Sequence, residues 1–236
     1  MAGSRRSFVL RHTRLQPVPG LDGLRLHLAD EVLPLWHAVQ AELGDPDAPL
    51  PFWAFAWGGG LALAHYLREH PEAVAGRRVL DLATGSGVGA VAVMQAGAAS
   101  AIGADIDPFA ESAVELNARA NGVRVGFIRR DLLDEDPPVV DVILAGDTWY
   151  DAPFAERVLP WLRRAAEQGA HVLIGDPGRR YLPVDELREL ARYEVRTTTE
   201  LEDLALKDGR VFTLRSQSGS SDRTSPTATR RPVPAT

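Results

Sequence analysis

Between residues 77 and 176 short apolar runs alternate with stretches whose apolar residues recur at helical spacing. RRVLDL (77–82) reads as a strand buried on both faces, followed by a glycine-rich turn and an Ala/Val-rich helix to about Gly97. SAIGAD (100–105) is a second strand. Pro108 then opens a helix with Phe109, Ala113, Leu116 and Ala120 on one face, stopped by Asn121-Gly122. VRVGFI (123–128), VVDVILAGD (139–147) and AHVLIGD (170–176) are three more strands, with a helix opened by Pro153 between the last two. Such alternation predicts βαβ units and a parallel sheet with helices on both faces. Further on, the spacing predicts a helix over 184–191 and two edge strands, RYEVRTTTE (192–200) and GRVFTLR (209–215). The total is an α/β, seven-stranded, mostly parallel sheet. Helical patterns around 30–43 and 60–70 are expected to cap its C-terminal edge. The expected division is a helical extension over 1–75, one α/β domain over 76–215 and a tail over 216–236. That tail is Ser, Thr, Pro and Arg with Val233 as its one large apolar residue, so it is expected to be disordered.

The polar positions that break this pattern fall at strand ends. Asp81, Asp105, Asp131, Asp147 and Asp176 each close, or just follow, a proposed parallel strand. In an open α/β sheet the ligand sits outside the carboxyl ends of the strands. A pocket rimmed by carboxylates suits a cationic, hydroxyl-rich ligand better than a bare pyrophosphate. A single aspartate there is equally a turn or cap residue. Five together, after a glycine-rich turn, favour a site. Arg129, Arg130, Arg179 and Arg180 lie near two of them as ion-pair partners. The turn Gly85-Ser86-Gly87-Val88-Gly89-Ala90 fits G-x-G-x-x-G/A, and Asp105 lies 20 residues after Gly85, which is also the dinucleotide fingerprint. Asp81, facing that turn, and the acids after strands three and four argue against it. A sulfonium ligand with an α-ammonium group and a ribose diol accounts for both.

Composition narrows the field. The net charge is −6, and the 216–236 tail carries +2 of its own, so the body is more acidic than the whole. No nucleic-acid partner is expected. There is no cysteine, which excludes disulfides, thiolate metal sites and cysteine nucleophiles and fits a reducing, cytoplasmic setting. The six histidines are scattered without ligand spacing, so no metal is expected. Lys207 is the only lysine against 25 arginines and lies outside any P-loop pattern. No targeting segment or membrane span is expected, because no apolar run is long enough.

VLDLATGSGVGA followed by IGADIDPFA resembles the first two motifs of class I S-adenosylmethionine (SAM) methyltransferases, which implies a Rossmann-like sheet and SAM as cofactor. The resemblance places Asp81, Ala83, Gly85 and Gly87 at the methionine end. It places Asp105 and Ile106 at the ribose and Asp131 and Leu132 beside the adenine. Ala83 stands where a first glycine is common. FWAFAWGGGLALAHYL (52–67), AGDTWYD (145–151), GDPGRRYLP (175–183) and TTTELED (197–203) together resemble the lysine methyltransferases that modify the β subunit of electron transfer flavoprotein. In that group an Asp-x-x-Tyr after strand four replaces the Asn-Pro-Pro-Tyr of amino- and amide-methylating enzymes. Here it is Asp147-Thr148-Trp149-Tyr150. The family's W-P-G-G is Trp57-Gly58-Gly59-Gly60, so Trp57 and Gly59 are cofactor candidates with a looser turn.

These residues imply roles. Asp147 accepts a hydrogen bond from the substrate amine, and Tyr150 with Trp149 or Trp57 walls the channel for the lysine stem. The expected partner is a protein, the flavoprotein β subunit, met by a monomer. A small-molecule or other protein N-methyltransferase, and a non-catalytic SAM-binding protein, remain open on the same scaffold.

Overall fold

A computed structural model describes residues 4–196 and 206–215. The 216–236 tail and the TTTELED segment lie outside the described residues. The chain opens with α1 (Arg5–His12), a hairpin of β1 (Arg14–Pro17) and β2 (Arg25–Leu28), α2 (Val32–Leu43) and α3 (Gly58–Glu69). Then come β3 (Arg78–Leu82), α4 (Val88–Gln95), β4 (Ser100–Asp105), α5 (Ala110–Ala120) and β5 (Gly126–Arg129). The chain continues with β6 (Val142–Gly146), α6 (Ala152–Glu167), β7 (His171–Asp176), β8 (Leu187–Arg196) and β9 (Leu206–Leu214).

The main sheet has seven strands in the order β5-β4-β3-β6-β7-β9-β8, the first five parallel and the β7/β9 and β9/β8 pairs antiparallel. Strands β3, β4 and β5 step out to one edge, and β6 returns to the other side of β3. That reversal opens a crevice at the carboxyl ends of the strands, where ligands of such sheets bind.

Side-chain alternation divides the core in two. Val142 and Leu144 face one way, with Leu61, Leu63 and Leu67 of α3 and Val91 of α4. Ile143 and Ala145 face the other, with Val158, Trp161 and Leu162 of α6. A third cluster joins the N-terminal elements to α5: Phe8, Val32, Leu35, Trp53 and Phe55 pack with Phe109, Ala113 and Leu116. Asn117 of α5 and Asn121, the residue that caps its C-terminus, also hold the hairpin. His27 N donates to Asn117 Oδ1 (2.6 Å), Arg25 N donates to Asn121 Oδ1 (3.0 Å), and Asn121 Nδ2 donates to the Arg25 carbonyl (2.6 Å).

The structure corrects two expectations. Residues 184–191 are not a helix. A single 3₁₀ turn, Val184–Glu186, leads into β8, whose ten residues pair with β9 through a bulge at Glu189/Ala191. Pairing along a whole neighbouring strand outweighs the local helical pattern. The hairpin is also additional to the expected helices of the extension. Its turn signals, Pro19-Gly20 and Asp22-Gly23, were present, and both glycines take positive φ (+78° and +86°).

Candidate active site

The carboxyl ends of β3, β4, β6 and β7 border one cavity of about 920 Å3. At its first end lies the glycine-rich turn between β3 and α4. Asp81, the fourth residue of β3, accepts from the Thr84 hydroxyl (2.5 Å) and from the Ala90 amide (2.9 Å). Burial nevertheless pushes its carboxyl up to about 7, against those two hydrogen bonds. Asp105, the last residue of β4, accepts from Gly85 N (2.9 Å) and Asp107 N (3.0 Å), and burial raises its carboxyl as well. Asp107 is pushed up to about 6 by the same cause. Among the described residues no arginine forms an ion pair with Asp81 or Asp105.

The turn is built for close approach. Gly85 (φ +52°) and Gly87 (φ +78°) occupy the left-handed region, and a Cβ on Gly87 would sit 3.0 Å from Val114. Ala83 is in the same region (φ +51°) without being glycine, a local strain of about 1 kcal/mol. Asn117 Nδ2 donates to the Ser86 carbonyl (2.8 Å), so one buried asparagine ties this turn to the N-terminal hairpin.

The opposite end is formed where α3 meets β6 and β7. Asp147, just past β6, also has a positive φ (+59°). It aims both carboxylate oxygens at the start of α3, accepting from Gly59 N (2.9 Å) and Gly60 N (2.7 Å). Helix α3 has no side-chain cap of its own, so a carboxylate from the neighbouring strand takes that place and opposes the helix dipole. The approach requires glycine: a Cβ on Gly59 would run into the Gly175 carbonyl, and one on Gly175 into the Gly59 carbonyl. Arg179 ion-pairs with Asp147 through Nη1 and lies 3.4 Å from Asp176. Asp176, wholly buried, accepts from Gly178 N and Arg179 N (2.6 Å each). Its carboxyl is pushed up to about 6, by burial first and by Asp147 second.

Aromatic rings line the wall between the ends. Phe52 lies 5.3 Å from Trp57 and 5.4 Å from Tyr150, and Tyr150 lies 5.7 Å from Phe154 (centroid distances). Trp57 Nε1 donates to the Phe52 carbonyl.

Of the residues singled out in the sequence, Trp57, Asp81, Ala83, Gly85, Asp105, Ile106, Asp131, Leu132, Asp147 and Tyr150 line this one cavity. Three do not. Gly59 serves the junction with Gly175, and Gly87 turns the backbone into α4. Trp149 is fully buried in the cluster under α6, so it does not wall the cavity as expected. The lining residues without a role assigned from sequence include Phe52, hidden among five aromatics in an apolar run, and Arg179, read only as an ion-pair partner.

A family model described as ribosomal protein L11 methyltransferase (PrmA) matches residues 65–146. The electron transfer flavoprotein beta subunit lysine methyltransferase of Xenopus laevis is 37% identical over 216 residues, 88% of this chain and 85% of that protein. The Caenorhabditis elegans homolog is 31% identical, covering 74% of this chain and 76% of its own length. The chain belongs to the electron transfer flavoprotein beta subunit lysine methyltransferase family. It is a SAM-dependent methyltransferase. A human member is 33% identical, and the alignment spans 64% of that protein. A solved structure from Pyrococcus horikoshii, assigned as an RNA methyltransferase, shares the fold with a TM-score of 0.52 at 17% identity, covering 71% of this chain and 90% of that one.

The residues fit the cofactor. SAM carries an α-ammonium, a sulfonium and a ribose diol. The first end of the cavity offers carboxylates shielded from water and without arginine counter-ions among the described residues. A pyrophosphate would meet repulsion there.

Proposed function

We propose that this methyltransferase modifies a lysine Nζ of the electron transfer flavoprotein β subunit. The observation that carries the reading is one cavity with a cofactor-type acidic end and, across it, the Asp147-x-x-Tyr150 pair. The names of the relatives support the choice of protein substrate. Asp81, Ala83 and Gly85 are assigned to the methionyl end, with Gly87 shaping the turn. Asp105 and Ile106 are assigned to the ribose, and Asp131 and Leu132 to the adenine. Asp131 also pairs with Arg157 (2.8 Å), which fixes its position. Trp57 closes the wall, and Gly59 acts indirectly by letting α3 reach Asp147.

SAM supplies an electrophilic methyl group on sulfur; displacement by an amine lone pair forms the C–N bond and leaves the C–S pair on the sulfur. The protein's contribution is to aim the amine and keep it neutral. A free lysine has a pKa of about 10.4, so deprotonation near pH 7 costs roughly 4–5 kcal/mol. Tyr150, Phe52 and Trp57 are placed to pack along the aliphatic stem and the methylammonium product. Asp147, already accepting two backbone N–H groups, orients the amine from a fixed position.

The finer readings, a monomer acting in the cytoplasm without nucleic acid, belong to the same proposal. The net charge of −6 and the cysteine-free composition support the compartment and the lack of a nucleic-acid partner. Among the described residues no helix is long and apolar enough to cross a membrane. The test is incubation with methyl-labelled SAM and the purified β subunit, followed by peptide mass spectrometry. Label on a lysine is the expected result; label on no lysine of that subunit overturns the proposal.

A further inference from the structure

One carboxylate, Asp147, lines the cavity where the lysine would arrive and a second, Asp176, is buried close behind it, and that is a difficulty for the chemistry. Burial raises the carboxyl of Asp176, and the nearby charge of Asp147 adds to that rise. A pair of anions holds an amine as ammonium, and an ammonium has no lone pair to give. The guanidinium of Arg179 sits between them, paired with Asp147 and 3.4 Å from Asp176. It lines the cavity itself.

We propose that Arg179 is a positioning residue that keeps the arriving lysine amine unprotonated by offsetting part of the negative charge of Asp147 and of Asp176 behind it. The inference rests on the lysine reading above and adds a residue to it.

The surroundings support this electrostatic role. The amides of Gly59 and Gly60 at the positive end of α3 hold the Asp147 carboxylate in place beside Arg179. From β9, Arg210 packs its guanidinium against Gly178, where the positive φ of +92° and the absence of a Cβ let it fit beside the loop. Glu189 of β8 lies 3.9 Å from Arg210. Across the space, Tyr150 feels Asp151 and Asp105 as well as Arg179, and burial raises its hydroxyl, so it enters as a neutral phenol. Without Arg179 this end loses one positive charge, and the two carboxylates there are left with less to offset them. The proton of the lysine ammonium, which must leave to solvent before the amine attacks, would then be held more tightly.

The sign is testable. The rate at saturating SAM should rise with pH along a limb set by the amine. Removing the cation, Arg179→Met, moves that limb to higher pH by about one unit or more. The rate at pH 7 falls about tenfold or more and recovers at high pH. Arg179→Lys keeps the charge and stays near the wild-type limb. Asp176→Asn removes an anion while its remaining oxygen still accepts from Gly178 and Arg179, and it moves the limb to lower pH. SAM affinity, measured by calorimetry, stays within about threefold in all variants. Limbs that superimpose on the wild type for both Arg179→Met and Asp176→Asn overturn the role. So does an Arg179→Met protein that no longer binds SAM, which would mark a structural tie. If Arg179→Met does not fold, the direction of the Asp176→Asn shift alone decides. A wild-type enzyme that methylates no lysine overturns instead the reading on which this rests.

Discussion

Asp81 and Asp105 at one end of the cavity, and Asp147 and Asp176 at the other, are all aspartates withdrawn from solvent, yet their charges are met differently. At the first end the partners are uncharged: a hydroxyl and the amides of Ala90, Gly85 and Asp107. Backbone amides stabilise a carboxylate without cancelling its charge, and both groups are raised by burial. At the second end a guanidinium joins the amides. The first arrangement leaves negative charge for a cationic cofactor. The second spends it inside the protein, which suits an amine that must arrive neutral. The same residue type at equivalent strand ends thus serves opposite electrostatic purposes, and the neighbours decide which.

The largest expected effect comes from breaking the second end mechanically. Gly59→Ala forces a methyl into the Gly175 carbonyl and displaces α3 from Asp147. A loss of about 3–5 kcal/mol in urea unfolding is expected, with methyl transfer down at least about a hundredfold. Next is the corresponding break at the first end. Asn117→Ala leaves the Ser86 carbonyl and the His27 amide without their partner. It should cost about 1–3 kcal/mol and weaken SAM binding in calorimetry more than it lowers the rate at saturating SAM.

Asp81→Asn sharpens the contrast through pH. The folded carboxyl is raised to about 7 from an ordinary 3.8, so the native state binds this proton more tightly than the unfolded chain. That stabilisation is lost as pH rises from about 4 through 7. The asparagine variant should therefore be more stable than wild type at pH 8, by about 1–3 kcal/mol, and gain little near pH 4. Thermal melts at the two pH values read this directly. SAM affinity should fall in the same protein, since the anion that destabilises the empty fold is the one assigned to the cofactor. The smallest effect is Ala83→Gly. It relieves the φ of +51° but adds freedom to the unfolded chain, for a net gain of at most about 0.5 kcal/mol and a slight rise in Tm.

Much of this was legible in the sequence because it rests on local pattern. The five parallel strands follow from apolar runs, and their terminal aspartates from position alone. The β8 segment was not legible, because its helical spacing is overridden by pairing with β9, a partner distant from its first residues in sequence. Trp149 was misplaced for a similar reason: the motif puts it beside Asp147, and only the packing under α6 shows that it turns into the core. Arg179 follows Asp176 by three residues, but its pairing with Asp147 spans 32 residues and depends on β6 lying next to β7. Nor does the triple glycine by itself disclose that Gly59 answers Gly175.

The division of labour between the ends is tested most directly by two variants read on two axes: Kd for SAM by calorimetry and kcat for the β subunit. Asp105→Ala is expected to raise Kd at least about tenfold while kcat at saturating SAM stays within a few-fold. Asp147→Asn is expected to leave Kd within about threefold and lower kcat about a hundredfold or more. Two variants that move the same parameter, or Asp147→Asn with an unchanged kcat, would contradict the account.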